Sequence, residues 1–482
     1  MNAGAALALY VMGAVTVLVL VLAVTPLGAR GRRVPEVLAL LGLAATVAIA
    51  VAQWGERQTA FSGELRVDRF GLLLAILIVI AAGATILLSW GEPAAAGRRP
   101  EFTGLVLAAA TGMMLTVMSG DLVTLFIGIE LLSVSLYVLC AIEVARGQSL
   151  ESGLKYLITG AIGTALLIYG FALLYGVTGT TSLEGISARL GAVGSPAPEP
   201  LFIAAIVLVV VALGFKASTV PFHMWTPDVY QGAPTPVTTF MATGTKTAVM
   251  GAFLLVFTGA THQASGDWRV VIGAVAAITM VVGNIGALLQ DNIKRMLGWS
   301  SIAQAGYLLI GVAVGTLAGT ESVIYYLFAY VAMTLAAFAI VILREREVEN
   351  GDHVEALAGY GRARPWAGVV MTLAMLCLAG FPPLAGFVGK FLLFGSAVDA
   401  DMTWLAIVGA VASVVSVVYY LRVVIVMWAP PPGGRHEVRR LGVPRAVAGV
   451  AIAAGVAVIA LAIWAQPVLD VCADAARALM IP

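Results

Sequence analysis

Apolar stretches of about twenty residues recur along the whole chain and are separated by short segments that carry glycine, proline or charge. A helix of that length crosses the roughly 30 Å hydrocarbon core of a bilayer, so each stretch is predicted to be a spanning helix. We therefore predict an all-α polytopic membrane protein. Its fourteen predicted spans lie near residues 3–25, 34–52, 70–90, 102–119, 122–143, 152–176, 201–229, 233–259, 268–289, 293–316, 321–343, 366–397, 403–428 and 443–468.

Two of these spans, 201–229 and 366–397, are too long for one straight helix and contain proline. Pro221 interrupts the first, and Pro382 with Pro383 interrupts the second. Proline has no backbone N–H and crowds the carbonyl four residues earlier, so both helices are predicted to be broken. The breaks lie five spans apart, which predicts that spans 4–8 are repeated as spans 9–13. An odd number of helices per repeat inverts the second copy in the membrane.

Composition leaves no room for a soluble domain. The chain is 61% hydrophobic and 11% charged, and its mean hydropathy is +1.00, values far outside those of soluble globular proteins. Met1 to Thr25 is apolar without a basic leader region, so it is predicted to be a span and not a cleaved signal peptide. One membrane domain, 1–482, is expected to contain a three-helix segment 1–90, a first repeat 102–259, a second repeat 268–428 and a final helix 443–468.

The basic residues predict the orientation, because cytoplasmic loops of membrane proteins are rich in arginine and lysine. With fourteen spans and both termini outside a bacterial cell membrane, the inside loops hold most of the basic residues. The inside set is Arg30, Arg32, Arg33, Arg98, Arg99, Arg146, Lys294, Arg295, Arg344, Arg346, Arg362, Arg364, Arg435, Arg439, Arg440 and Arg445. The outside set is Arg57, Arg66, Arg69, Arg189, Arg269 and Arg477.

Lysine usage gives the strongest chemical signal. The chain has 22 arginines and only five lysines, yet four lysines lie within predicted spans. Arginine stays protonated when it is desolvated, whereas a buried lysine can lose and regain its proton. Snorkelling or a fixed ion pair is the alternative, and it applies most to Lys155, which is near an interface. The candidates for proton transfer are Lys216, Lys246, Lys390 and, as a secondary candidate, Lys155.

Glu130 lies near mid-membrane within an apolar run, where a carboxylate needs a cationic partner. Lys216 is the expected partner, and a protonated or purely structural glutamate is the alternative. Pro221 frees carbonyls beside Lys216, which faces the negative end of a half-helix. Lys390 follows Pro383 in the second half-helix, whose positive end is expected to disfavour a cation. Asp121 is predicted to cap its helix.

Other candidate chemistry is weaker. Ser300, Ser301 and Gln304 form a polar patch that can support a water chain or hold helices together. His223 follows Pro221 and is a secondary candidate. The charged loop 344–365 is expected to be a solvated face or a subunit contact.

No redox centre, metal site or nucleotide site is predicted in this chain. The TGTKT stretch at 243–247 lacks the features of a phosphate loop. The cysteines lack metal-binding spacing, and the histidines are too scattered for paired haem ligation. These residues are Cys140, Cys377, Cys472, His223, His262, His353 and His436.

Four stretches resemble the antiporter-like membrane subunits of proton-pumping NADH-quinone oxidoreductase, respiratory complex I. They are SGDLVTLFIGIELLSVSLY (119–137), PFHMWTPDVYQGAPTPVTTF (221–240), QDNIKRMLGWSSIAQAGYLL (290–309) and AGFPPLAGFVGKFLL (379–393).

By that resemblance, the family's functional residues match those chosen from burial. Glu130 corresponds to the acid of the fifth helix, and Lys155, Lys216, Lys246 and Lys390 to lysines of the sixth, broken seventh, eighth and broken twelfth helices. The resemblance implies proton translocation coupled to quinone reduction elsewhere in the complex. NADH, FMN, iron-sulfur clusters and quinone are then expected in other subunits.

One position departs from the family pattern. Gln304 stands where the family's SSIA-x-AGY motif usually carries histidine, and glutamine cannot titrate. The alternatives to a complex I pump subunit are a subunit of a multi-chain cation/proton antiporter and a structural membrane subunit whose lysines form fixed ion pairs. The PDVYQGAP form favours complex I.

Overall fold

The computed structural model describes residues 4–25, 33–55, 57–90, 98–193, 200–348, 350–430 and 442–480. Among these residues, twelve helices are long and apolar enough to cross a membrane, and Leu7–Ala23 and Pro365–Ala379 are shorter apolar helices. The predicted helical membrane fold is confirmed, while the count of fourteen spans stays a prediction. The arginines at 30, 32, 435, 439 and 440, which contributed to the predicted orientation, and the histidine at 436 lie outside the described residues.

The helices are, in chain order, α1 (Leu7–Ala23), α2 (Val34–Ala52), α3 (Arg69–Ser89), α4 (Arg99–Val117), α5 (Leu122–Cys140), α6 (Gly147–Thr178), α7 (Leu183–Val193), α8 (Pro200–Ala217), α9 (Trp225–Gly232), α10 (Thr235–Phe240), α11 (Lys246–Phe253), α12 (Ser265–Leu288), α13 (Ile293–Val314), α14 (Leu317–Glu345), α15 (Tyr360–Ala363), α16 (Pro365–Ala379), α17 (Ala385–Asp399), α18 (Thr403–Trp428), α19 (Arg445–Ile463) and α20 (Ala465–Leu479). Strands β1 (Gln58–Ala60) and β2 (Leu65–Val67) form an antiparallel hairpin between α2 and α3.

Both predicted helix breaks are present. The span 201–229 divides into α8 and α9, with Pro221 between them, and the span 366–397 divides into α16 and α17, with Pro382 and Pro383 between them. The residue after each first half-helix, Ser218 or Gly380, has a positive φ and turns the chain out of the helix.

The helix that carries Lys246 is the best-buried span of the bundle, and its whole apolar window is buried. Helices α10 and α11 are continuous with two π-helical segments, Met241–Thr245 and Leu254–Ala260. Hydropathy predicts the span, but it does not predict these wider turns.

Helix starts follow their capping residues. Asp121 accepts a hydrogen bond from the Val123 N–H at 2.7 Å, as predicted for the start of α5, and Asp68 accepts one from the Gly71 N–H at the start of α3. The final helix, α20, was not predicted. It is amphipathic and packs its buried face against α3 and α14.

The loop 344–365 differs from its prediction, because several of its charges are buried against the bundle. Glu347 pairs with Arg364, and the Arg344 guanidinium lies over the Tyr360 ring. Burial raises the pKa of the Glu347 carboxyl above its usual range. The backbone N–H of Ile293 donates to the Asp352 carbonyl at 2.7 Å, which fixes the loop over the start of α13.

Two lysines have the opposite burial from that predicted. Lys294, predicted in an inside loop, lies in the first turn of α13 and is only 1% exposed. Its ammonium donates to the Ala233 carbonyl at 2.8 Å and lies 3.6 Å from Glu345. Lys155, predicted within a span, has a side chain that is 42% exposed.

Candidate functional site

A line of buried polar side chains runs through the bundle between the two helix breaks. Lys216, Lys246 and Lys390 are each only 3% exposed. They lie at the end of α8, at the start of α11 and within α17. A bare ammonium is costly at such sites, so its partners define what each lysine can do.

At the first break, Lys216 turns away from its own helix towards α5. Its Nζ donates to the Ser133 hydroxyl at 2.7 Å and to the Tyr137 hydroxyl at 3.3 Å. The Thr164 hydroxyl of α6 donates to Glu130 Oε1 at 2.6 Å. The hydroxyl groups of Thr164 and Tyr137 are neighbours, so hydroxyl groups lie between the carboxylate and the ammonium.

This arrangement refines the predicted Glu130 and Lys216 partnership. Their charges interact electrostatically, but within the described residues no direct ion pair joins them. Intervening hydroxyl groups can both donate and accept, which suits relayed proton exchange better than a closed ion pair does.

Close helix packing brings the Tyr137 hydroxyl into this position. A Cβ atom on Gly160 of α6 would lie 2.0 Å from the Tyr137 oxygen. A side chain at position 160 would therefore displace the phenol. The ring of Tyr156 packs edge-on against Tyr137 at 4.8 Å between centroids.

Lys246 connects the first break to the second half of the molecule. Its Nζ donates to the Ala217 carbonyl at 2.9 Å and to the Ser301 carbonyl at 3.1 Å. Ala217 is the last residue of α8, so this carbonyl has no partner within its own helix. The sequence predicts such free carbonyl acceptors beside Lys216, but in the structure the Ala217 carbonyl accepts from Lys246.

The predicted patch on α13 is part of the same line. Ser301 accepts from the Tyr330 hydroxyl at 3.0 Å, and Ser300 is hydrogen-bonded to Tyr420. Gln304 Nε2 donates to the Tyr420 hydroxyl and to the Leu378 carbonyl, both at 3.2 Å. Gln304 Oε1 accepts from Tyr326 at 2.5 Å.

Lys390 differs from its prediction. Its side chain folds back from α17 towards the end of α16, where Nζ donates to the carbonyls of Leu378 at 3.1 Å and Ala379 at 3.2 Å. The ammonium therefore faces the negative end of the first half-helix and not the positive end of its own. The Ser413 hydroxyl accepts at 2.9 Å, and the Tyr307 ring lies 4.5 Å away.

Gly380 makes room for this folded-back lysine. Its φ of +85° suits glycine, and a Cβ atom there would lie 3.0 Å from Lys390 Cδ. The Leu378 carbonyl is shared, because both Gln304 and Lys390 donate to it.

The secondary candidates lie off this line. Lys155 pairs with Glu151 and with Asp228, each at 2.7 Å, at the surface. Asp228 also pairs with Arg295 at 2.5 Å, so one carboxylate joins two basic side chains. His223 is buried next to the Trp299 ring, and its Nδ1 has no partner among the described residues.

Sequence reasoning missed several polar partners. Ser133 and Tyr137 follow Glu130 by three and seven residues, and this helical spacing could have placed them on one face. Ser413 and Tyr420 are likewise two turns apart on α18. Thr164 has no such signal, because its contact with Glu130 joins different helices.

The described part of the chain has no recognisable metal-binding site. No group of three or more histidine, cysteine, aspartate or glutamate residues there is arranged to hold a metal ion. The cysteines Cys140, Cys377 and Cys472 are free and buried.

Comparison with known proteins places this geometry in a family. Residues 119–416 match the family model described as NADH:quinone oxidoreductase/Mrp antiporter, TM. The chain is 38% identical to NADH-quinone oxidoreductase subunit N of Desulforamulus reducens over 98% of each chain. It is 42% identical to subunit N of Trichlorobacter lovleyi over 87% of this chain and 86% of that protein.

Solved structures share the fold. A chain of respiratory complex I from Thermus thermophilus with bound aureothin matches with a TM-score of 0.81 and 36% identity, over 96% of this chain and 98% of that chain. A chain of the Mrp complex from Dietzia sp. matches with a TM-score of 0.83 over 99% and 98%, but at 23% identity it supports the fold alone.

Proposed function

The chain belongs to the NADH:quinone oxidoreductase/Mrp antiporter family, within the subunit N group of NADH-quinone oxidoreductase, and from that membership we propose that its buried lysines and Glu130 carry protons across the membrane. It is an antiporter-like, multi-pass membrane subunit of a bacterial respiratory complex. Its partners are the other complex I subunits, and the NADH, FMN, iron-sulfur and quinone chemistry belongs to those subunits.

The observation that carries the proposal is the continuity of polar contacts from Glu130 to Lys390. Thr164, Tyr137 and Ser133 connect Glu130 to Lys216. Lys246 binds the carbonyl of the residue next to Lys216 and also the Ser301 carbonyl. From the adjacent Ser300, the contacts pass through Tyr420, Gln304 and the Leu378 carbonyl to Lys390.

Electrostatic coupling between neighbouring lysines would let a change in protonation at one lysine affect the protonation of the next. Lys246 binds the carbonyl of the residue that follows Lys216, and two unit charges about 10 Å apart at an effective dielectric constant of 20 repel by roughly 1.7 kcal/mol. That free energy changes a protonation equilibrium constant by more than tenfold. Protonation of one lysine therefore favours proton release from the next. Carbonyl groups cannot carry protons, so transfer itself takes place through hydroxyl groups and water.

The finer topology belongs to the same proposal. Two inverted five-helix repeats are supported by the match between the breaks. Helix α8 ends at Ala217 and α16 at Ala379, a residue with positive φ follows each, and proline follows three positions later. The distribution of arginines supports termini on the outer side of the membrane.

Substitution of Lys246 by methionine tests the proposal. NADH-driven proton pumping in reconstituted vesicles is expected to fall to about a tenth or less, because a positioned proton carrier typically contributes at least a hundredfold to such a step. Lys155→Met is the matched control, since that lysine lies at the surface, and it is expected to keep pumping within about twofold.

The alternative roles predict other results. An assembled Lys246→Met complex that pumps at the parental ratio of protons to NADH would show that the lysines are structural. Isolation of the chain in a cation-exchange complex without flavin or iron-sulfur subunits would favour the antiporter alternative.

A further inference from the structure

Basic residues from distant parts of the sequence gather at one end of the bundle. Of the six basic residues predicted on the outer side, four lie in one region although they come from distant parts of the sequence. They belong to the α2 to α3 connection, the start of α3 and the last helix. The four are Arg57, Arg66, Arg69 and Arg477.

Three of these arginines line a cavity of about 320 Å³, together with Gly55, Asp68, Asp474 and Ala478. Arg69 pairs with Asp474 at 2.8 Å and so joins α3 to α20. Arg477 pairs with the same carboxylate. Arg66 lies behind the cavity, where it pairs with Asp68 at 2.9 Å and donates to the Ala478 carbonyl at 3.1 Å.

Three guanidinium groups and two carboxylates line the cavity itself. Beyond the lining, Glu321 interacts electrostatically with Arg477 and with Asp470. Arg57 is exposed and forms no ion pair with any carboxylate among the described residues. The Arg66 Nη1 is buried and has no hydrogen-bond partner there. A guanidinium fork matches the oxygens of a phosphate group, and Arg57 and Arg477 keep exposed donors for it.

The cavity lies beside the ends of two spans, α2 and α3, where lipid headgroups are expected. Gly55 follows the end of α2 by three residues, and Arg69 is the first residue of α3. Trp54, whose carbonyl accepts from Arg69, is an amphipathic residue of the kind that marks the membrane interface. A ligand here can contact the arginines with its phosphate while its acyl chains remain in the bilayer.

We propose that this cavity binds the phosphate headgroup of an anionic phospholipid and thereby joins the amphipathic C-terminal helix α20 to the α2 to α3 connection. Basic residues near a membrane surface each contribute binding free energy towards anionic lipids. A free phosphate has the same group without the acyl chains, and the chains add apolar contact with α2 and α3 at the bilayer surface.

The test is retention of phosphatidylglycerol by the purified, assembled complex, counted by native mass spectrometry after exchange into detergent with equal phosphatidylglycerol and phosphatidylcholine. The double variant Arg57→Gln with Arg477→Gln is expected to bind phosphatidylglycerol about tenfold more weakly and phosphatidylcholine unchanged. Both side chains are exposed, so folding is preserved. Arg189→Gln, an exposed arginine on the same predicted side, is the matched control and is expected to match the parent.

Three outcomes would overturn the proposal. Equal phosphatidylglycerol retention in the double variant and the parent shows that the cavity holds no anionic lipid. Full displacement of the lipid by inorganic phosphate shows that the site recognises free phosphate. Loss of a neighbouring subunit from the double variant with lipid retention unchanged shows that the arginines bind a protein partner.

Discussion

The two broken helices hold their lysines in different ways. At the first break, Lys216 leaves its own half-helix end and reaches hydroxyl groups beside a carboxylate. At the second break, Lys390 folds back onto the half-helix end and binds two of its carbonyls. Similar motifs in the sequence thus produce one lysine next to Glu130 and one lysine among neutral groups.

The two breaks also differ in whether their buried polar atoms have hydrogen-bond partners. Around the first break, Thr219 Oγ1, His223 Nδ1 and Thr226 Oγ1 are buried without partners among the described residues. Around the second break, within residues 370–430, all described side-chain polar atoms that are buried have partners. Unsatisfied buried groups are typical of sites that bind water. The first break is therefore suited to exchange protons with water, whereas at the second break protein groups hold the lysine side chain in one position.

The largest expected effect comes from replacing Lys390 by arginine. The charge and the contacts to the half-helix end can be kept, but a guanidinium does not release its proton. Proton pumping by the reconstituted complex is expected to fall by about tenfold or more, nearly as far as in Lys390→Met. Parental pumping in the arginine variant, with methionine inactive, would mean that only the fixed charge matters at the second break.

A smaller effect is expected from Thr164→Val at the first break. The change removes the hydroxyl that donates to Glu130 and keeps the side-chain volume. Hydrogen bonds to charged groups contribute about 1.5–3 kcal/mol, and partial exposure reduces this, so pumping is expected to slow about three- to tenfold. The initial rate of vesicle acidification measures it.

The control for that variant is Thr159→Val. Thr159 is on the same helix, and its hydroxyl donates to the Lys155 carbonyl of α6. It is expected to leave the rate unchanged. Equal losses in both variants would point to a general weakening of α6 and not to the Glu130 contact.

The smallest expected effect is a pH dependence introduced by Gln304→His. Histidine has an ordinary pKa of about 6.5, so below that pH an imidazolium would repel the ammonium of Lys390 across the shared Leu378 carbonyl. Pumping relative to the parent is expected to fall about two- to threefold as the pH drops from about 7.5 to 6. A pH profile measures it, with the neutral Gln304→Asn as control. Identical profiles for all three proteins would place position 304 outside the lysine line.

The sequence is sufficient to predict the helical membrane fold and the two helix breaks, because hydropathy and proline act locally. It also selects Glu130 and the three central lysines as candidates for proton transfer, since charge within apolar runs is visible without a fold. The direction of each lysine side chain is not predictable in this way. Whether Lys390 reaches its own helix end depends on how the chain turns at Gly380, and whether Lys246 reaches Ala217 depends on how two separate helices pack.

Lys294 shows the same limit in another form. It stands next to charged residues in a sequence that reads as a loop, and it is buried because Ala233 and Glu345, from two distant parts of the chain, lie against it. Burial of a residue at the end of a span depends on the segment that covers it. The sequence around the residue does not show which distant segment will cover it.

The π-helical segments on both sides of Lys246 have a consequence for the rotational phase of that helix. Successive residues of an α-helix are about 100° apart, and a π turn accommodates about one additional residue. Between Met241–Thr245 and Leu254–Ala260, Lys246 therefore faces a different direction from the one that an uninterrupted α-helix would give it. A deletion of one residue in the first segment would remove the additional residue, so the turn could become α-helical and the ammonium would keep its direction, whereas a one-residue deletion in a regular α-helical turn would rotate it by about 100°. The position of this charge is thus set by an offset in helical register as well as by residue identity.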